Sequence, residues 1–104
     1  MFEREEDREA IAELRRAVYL SPYEAQAHLL LARIHLRNGR TAEAVNALKI
    51  SIWSEETAAA RLALAEAYIK LQNTAAARTE LQRVLAMDPA SAEAKRLLST
   101  IGGG

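Results

Sequence analysis

The residues that decide the fold are Ala27–Ala44, AHLLLARIHLRNGRTAEA, whose pattern returns further along the chain as Ala60–Ala77, ARLALAEAYIKLQNTAAA. Identical residues coincide when the first stretch is laid on the second, at a shift of 33. They include Leu29, Leu31, Ala32, Thr41, Ala42, Ala44 and, just beyond the stretch, Leu48, which fall on Leu62, Leu64, Ala65, Thr74, Ala75, Ala77 and Leu81. Both ends of the chain join the pattern at a shift of 34, so four segments share it, the first and the last incompletely. A fixed period of this length is typical of stacked structural repeats.

The apolar spacing within each segment is helical, as at Ala10, Leu14 and Val18 in the first. Asn38-Gly39 predicts a helix end. The candidate N-caps are Thr41, Thr57, Thr74, Ser91, and Ser21 in a capping box Ser21-Pro22-Tyr23-Glu24. We predict helices over 3–20, 23–38, 41–54, 57–72, 74–87 and 91–100. The linkers between them are short, which requires neighbouring helices to be antiparallel.

The composition excludes several classes of protein. Fourteen basic and 14 acidic residues balance, whereas a nucleic-acid binder usually has a basic excess. The chain has no cysteine, which excludes disulfides, thiolate zinc sites and cysteine nucleophiles. Its charged start predicts neither a signal peptide nor a membrane anchor, and no apolar run reaches the roughly 20 residues of a membrane span. The alanine and arginine content suggests a bacterial source; we expect a cytoplasmic protein, and the sequence leaves the periplasm open.

The residues at the key positions of the pattern resemble those of the tetratricopeptide repeat. That family spaces a large residue, a leucine followed by a small residue, an aromatic, an alanine, another large residue and a proline over about 34 positions. In the first full unit those roles fall to His28, Leu31-Ala32, His35, Ala44 and Leu48. In the second they fall to Arg61, Leu64-Ala65, Tyr68, Ala77, Leu81 and Pro89. The first full unit departs from the pattern, because Glu56 replaces the proline and the unit is one residue short.

The resemblance implies an all-α fold, in which about six helices form antiparallel hairpins stacked in a right-handed superhelix. The expected organisation is a single repeat domain over residues 1–101, followed by a flexible glycine tail at 102–104. Within the domain we expect a half unit at 3–22, full units at 25–57 and 58–91, and a terminal helix at 91–100.

The resemblance also implies that the first helix of each unit lines a concave groove that binds a partner peptide or helix. The implied groove residues are Leu29, Arg33, Leu36, Arg37, Leu62, Glu66, Ile69 and Lys70. We expect the four apolar members to form an exposed row, Arg33 to pair in part with Glu66, and Arg37 and Lys70 to meet a ligand carboxylate. The family's carboxylate clamp for chaperone tails needs basic and asparagine side chains. Of the matching positions only Arg33 could serve, which argues against that ligand.

Nothing in the sequence indicates catalysis, a cofactor or a metal. His28 and His35 fall on packing positions and lack further ligands at metal-binding spacing. The acidic run around Asp7 opens a helix, where negative charge is favoured, so we expect it to be solvated. No histidine is placed to activate a serine or threonine, and no glycine-rich phosphate loop is present.

Two hypotheses about function follow. The first is a non-catalytic scaffold that grips a partner protein in the groove. The second is a structural subunit of a homo-oligomer or larger assembly, because the N-terminal half unit lacks the helix that would cover Ile11, Leu14 and Val18. Trp53, the single tryptophan, is expected to pack against the next hairpin; the alternative is an anchor for a partner.

Overall fold

The computed structural model describes residues 4–102 and contains six α-helices. They are α1 (Glu5–Leu20), α2 (Ala25–Arg37), α3 (Thr41–Ser54), α4 (Ala58–Lys70), α5 (Thr74–Met87) and α6 (Ala92–Thr100). Every boundary lies within two residues of the one predicted from the sequence. Glu3, where the first helix was predicted to begin, and Gly103 and Gly104 of the predicted tail lie outside the described residues. The predicted all-α repeat fold is confirmed.

The helix ends confirm part of the predicted capping. Thr57 and Ser91 accept hydrogen bonds from the backbone amides of Ala60 and Ala94. Gly39 has φ of 78° just after α2, a left-handed conformation that glycine adopts without steric cost. Asn38-Gly39 therefore ends α2, as the sequence predicted.

Three of the predicted N-caps are wrong. Ser21 ends α1 rather than starting α2, whose N-cap is Glu24. Thr41 and Thr74 are the first residues of their helices, one position beyond the caps Arg40 and Asn73. Asparagine outranks threonine as an N-cap, which accounts for Asn73, and the Asn73 side chain accepts from the Ala76 amide.

Successive helices pack as antiparallel pairs, and α2 also contacts α4. Alanines permit the close approach: Ala32, Ala44, Ala65 and Ala77 are fully buried. Each lies at a small-residue position of the repeat. A larger side chain there would push the helix axes apart, since interaxial distance depends on the side chains at the contact. Helices α2 and α4 lie side by side, and α6 shares a buried cluster with α4.

The N-terminal helix is covered by its own chain. Ile11 is 6% exposed and packs with Leu31 and Ile34 of α2, while Leu14 and Val18 are partly buried in the same cluster. The expectation that Ile11 lacks a covering helix is therefore wrong, because the helix after α1 covers it. A basic depression with Arg8, Arg15 and Arg40 surrounds Ile11 at this end of the stack.

Candidate functional site

The family resemblance assigns one side of α2 and α4 to a groove, and we call this side the inner face. Leu36, Leu62 and Ile69 are partly buried there and pack on the two larger core clusters. Leu29 is only 6% exposed, so the prediction of an exposed row is wrong at this residue. Leu29 shares its cluster with Ala60, Ala63 and Ala67. These small residues let α4 approach α2 closely enough to cover the leucine.

Arg37 is committed to a contact within the chain. Its guanidinium donates to the Asp7 carboxylate, with Nε 3.3 Å from Oδ2 and a second, closer contact from the terminal nitrogen. Hydrogen bonding to Arg37 lowers the pKa of Asp7, outweighing the opposite effect of burial. Two predictions are therefore corrected: Asp7 is buried rather than solvated, and the charge of Arg37 is already neutralised.

Glu66 occupies the centre of the inner face. Burial raises its pKa first, and the neighbouring Glu93 raises it further, whereas the charges of Arg96, Lys70 and Arg33 oppose the shift. The charge of Arg33 thus acts on Glu66 together with two other cations, and the partial pairing of the two side chains stays a prediction. Arg33 and Lys70 are exposed. The inner face therefore combines a partly covered apolar strip with a mixed charged border.

The two histidines are buried, as predicted. The Nε2 of His28 lies 2.8 Å from the Pro22 carbonyl oxygen; since a carbonyl only accepts, that nitrogen carries a proton. The Nε2 of His35 lies 4.0 Å from a Glu43 carboxylate oxygen. Among residues 4–102 no group of three or more His, Asp or Glu side chains is placed to hold a metal ion.

The sequence analysis missed an ion triad in the second full unit. Arg61 lies at the position of His28, and its guanidinium donates to Glu56 (2.5 Å) and Glu80 (2.7 Å). The side chains of Arg61 and Glu80 are only 11% and 13% exposed. Burial lowers the pKa of Arg61, but the two carboxylates outweigh it and the pKa is raised. The available signal was an arginine at a packing position beside a glutamate at the proline position.

Trp53 is 74% exposed, so the prediction that it packs against the next hairpin is wrong. It contacts the preceding connection instead, with its ring 5.2 Å from that of Tyr23 and tilted by 55°. Beside it a depression of about 390 Å³ opens between α3, α4 and α5. The pair and the depression lie away from the inner face.

Stacked antiparallel helix pairs with two accessible faces define a helical repeat protein. Two family models, both described as Tetratricopeptide repeat, match residues 4–52 and 52–101. The chain belongs to the tetratricopeptide repeat family, whose members generally mediate protein–protein interaction. A comparison with curated proteins finds no match. None of the helices in the described part of the chain has the length and apolar character that a bilayer span requires.

Proposed function

We propose that this protein is a non-catalytic scaffold that holds a peptide or helix of a partner protein on its inner face. The observation that carries the proposal is the strip of Leu36, Leu62 and Ile69, which stays partly accessible between α2 and α4. An amphipathic helix or extended peptide inserts apolar side chains into such a strip. Two of the predicted groove residues are removed from the proposal. Leu29 is buried, and Arg37 is paired with Asp7.

The charges around the strip determine which ligand it favours. Glu66 is partly buried and disfavours a ligand carboxylate at its centre, while the exposed Lys70 and Arg33 attract one at the border. A ligand that presents apolar anchors and a carboxylate near these two cations fits this arrangement. Complementary charge of this kind mainly increases association rate and specificity.

The test is affinity capture from cells of the source organism with three immobilised chains: wild type, the double variant Arg33→Glu and Lys70→Glu, and Lys95→Glu as the control. Lys95 is an exposed lysine on α6, away from the strip. The proposal expects a partner that the wild type and control retain and the double variant loses. Titration of that purified partner at two salt concentrations should show a flatter salt dependence for the double variant, since salt screens exposed charges. Equal capture by all three chains would show that the inner face is not the binding surface.

A structural role in an oligomer or larger assembly is the second candidate. It is supported by Leu14 and Val18 of α1, which stay partly accessible, and by the exposed Tyr19 and Leu20 beside them. Size-exclusion chromatography with light scattering tests it directly. A tight oligomer that dissociates on Val18→Asp, with helix content retained, supports the assembly role; a monomer removes it for the chain alone.

A further inference from the structure

The most exposed large apolar side chains of residues 4–102 gather at one edge of the stack, where α1, α3 and α5 end. Tyr19, Leu20, Tyr23 and Trp53 are all at least 64% exposed. Met87 ends α5 at the same edge and is also exposed. Tyr19, Trp53 and Met87 coincide under the repeat shift of 34, so one repeat position carries an exposed apolar residue three times. We call these five residues the aromatic edge. Among them Tyr23 and Trp53 are in contact, and exposed apolar side chains that lie together mark interaction sites.

The centre of the aromatic edge is held in place by the backbone beneath it. The Ser54 hydroxyl donates to the Tyr23 carbonyl, and the buried Ser51 hydroxyl donates to the Ala25 carbonyl at 2.9 Å. These two bonds join the last turn of α3 to the connection between α1 and α2 and to the first residue of α2. They fix the backbone under the tilted ring pair of Tyr23 and Trp53. A preorganised aromatic pair loses little conformational entropy when a ligand covers it.

The depression beside Trp53 suits a neutral, apolar side chain. Its apolar lining comes from Ile52, Leu64 and Tyr68, with Trp53 at its rim. Its charged lining is Lys49, Glu56, Arg61 and Glu80, which sum to zero. Arg61 is satisfied by both glutamates, so the lining has no excess charge to attract an ion. At about 390 Å³ the depression is large enough for one large side chain.

The connections at this edge are acidic. The stretches 21–24, 55–57 and 88–91, all within the described part of the chain, contain Glu24, Glu55, Glu56 and Asp88 and no lysine or arginine. Arg61 offsets Glu56, which leaves three carboxylates. The face of an exposed tryptophan also attracts cations. Carboxylates and indole therefore favour the same kind of ligand charge.

We propose that the aromatic edge and the depression beside Trp53 form a second binding site, for a basic peptide segment of a partner protein. A large apolar side chain of the segment enters the depression, and adjacent lysines or arginines lie over Trp53 and face Glu24 and Glu55. The site is separate from the inner face. Arg61, Leu64 and Tyr68 point roughly 130° around α4 from Leu62, Glu66 and Ile69, given 3.6 residues per turn.

The test selects ligands from a displayed library of random dodecapeptides on the immobilised full chain. Tryptophan-free synthetic versions of the selected peptides are then titrated while the fluorescence of Trp53, the only tryptophan, is recorded. The proposal expects a consensus of one large apolar residue flanked by lysine or arginine, and a blue shift of the Trp53 emission on binding. Tyr23→Ala should weaken binding roughly tenfold or more, as loss of an aromatic anchor does, and Glu55→Lys should weaken it further at low salt.

Matched controls separate this site from the inner face. Leu71→Ala removes an exposed apolar residue at the opposite edge, and the double variant Arg33→Glu and Lys70→Glu alters the inner face; both should bind the peptides like the wild type. The proposal is overturned by a failure to enrich peptides, by an acidic consensus, or by selected peptides that leave the Trp53 emission unchanged. It is also overturned if the emission shifts when the chain alone is concentrated, because a second copy would then occupy the edge.

Discussion

The two full repeat units fill the same buried repeat position with chemically different side chains. His28 in the first unit and Arg61 in the second occupy the same repeat position, and both are buried. His28 bonds to the carbonyl oxygen of Pro22, whereas Arg61 is held by the carboxylates of Glu56 and Glu80. Under the repeat shifts, Glu56 falls on Pro22 and Glu80 falls on Ala47. Both partners of Arg61 therefore take the places of uncharged residues, Pro22 in the half unit and Ala47 in the first full unit.

This difference shows that the departure from the repeat pattern at Glu56 is coupled to Arg61. A buried charge is tolerated only when it is paired. The arginine at the packing position is accordingly paired with an acid in the connection before it and with a second acid on the following helix. The histidine needs only a carbonyl acceptor, which Pro22 of the preceding half unit supplies, and Ala47 of the first full unit stands at the position of Glu80.

The largest expected effect comes from removing one partner of the triad. Glu80→Ala should destabilise the fold by about 2–4 kcal/mol, because breaking a buried ion pair leaves an uncompensated charge. Glu56 remains to hold part of that charge, which keeps the loss below complete unfolding. Urea denaturation followed by far-UV circular dichroism measures the effect. A loss no larger than that of an exposed glutamate such as Glu13→Ala would show that the triad is not structural.

A triple variant sharpens the comparison by placing, at the three positions of the triad, the residues found at the equivalent positions around His28. Arg61→His, Glu56→Pro and Glu80→Ala together should come within about 1 kcal/mol of wild type, since exchanging a whole buried ion cluster for neutral groups is often neutral. Glu55 has extended backbone, φ −154° and ψ 108°, which a following proline permits. If the triple variant is no more stable than Glu80→Ala, the two solutions are not interchangeable.

The sequence predicted the backbone better than it predicted the surfaces. The internal self-match located all six helices, because helix starts and packing positions depend on local residues and a repeated period. The burial of Leu29 depends on how closely the alanines of α4 let it approach α2. The exposure of Trp53 depends on how far the last turn of α3 lies from the helices that follow it. Both features depend on distances between elements of the fold, which the residue pattern along the sequence does not contain.

A smaller effect on stability is expected for the pair of Asp7 and Arg37. Arg37 and Lys70 share a repeat position but have different neighbours. Hydrogen bonding to Arg37 lowers the pKa of Asp7. The stability from this pair is therefore fully present above about pH 4, the usual carboxyl range, and is lost as pH falls through the lowered folded-state pKa. Asp7→Asn should lower the urea midpoint at pH 7, by less than Glu80→Ala because the Arg37 side chain is more than half exposed. The gap from wild type should close as the pH is lowered below 4.

For Glu66, beside Lys70, the expected dependence of stability on pH has the opposite sign. Its pKa is raised, chiefly by burial, so its charged form is disfavoured in the fold and stability is gained as pH falls through the raised folded-state pKa. Glu66→Gln should therefore have a urea midpoint at pH 7 equal to or above wild type. A lower midpoint would mean that the attraction to Arg33, Lys70 and Arg96 outweighs burial.

The smallest expected effect distinguishes the starts of α2 and α4. Thr57 accepts from the Ala60 amide at 3.1 Å, from extended backbone and partly buried. Glu24 accepts from the Gln26 amide at 3.3 Å through a longer, exposed side chain. Thr57→Ala should cost about 1 kcal/mol, the usual loss for a threonine N-cap, and Glu24→Ala about 0.5 kcal/mol or less. The carboxylate of Glu24 must give up more rotamer freedom for a bond that water can replace.

Amide hydrogen exchange resolves this difference where global unfolding measurements cannot. In Thr57→Ala the Ala60 amide loses its acceptor and should exchange faster than in wild type, while amides in the middle of α4 follow only the global change in stability. Thr57→Ser keeps the hydroxyl and should restore protection at Ala60. Equal stability losses for Thr57→Ala and Glu24→Ala, with no local change at Ala60, would mean that the N-caps of α2 and α4 contribute equally to stability. The chemical difference between the units would then be confined to the buried position of His28 and Arg61.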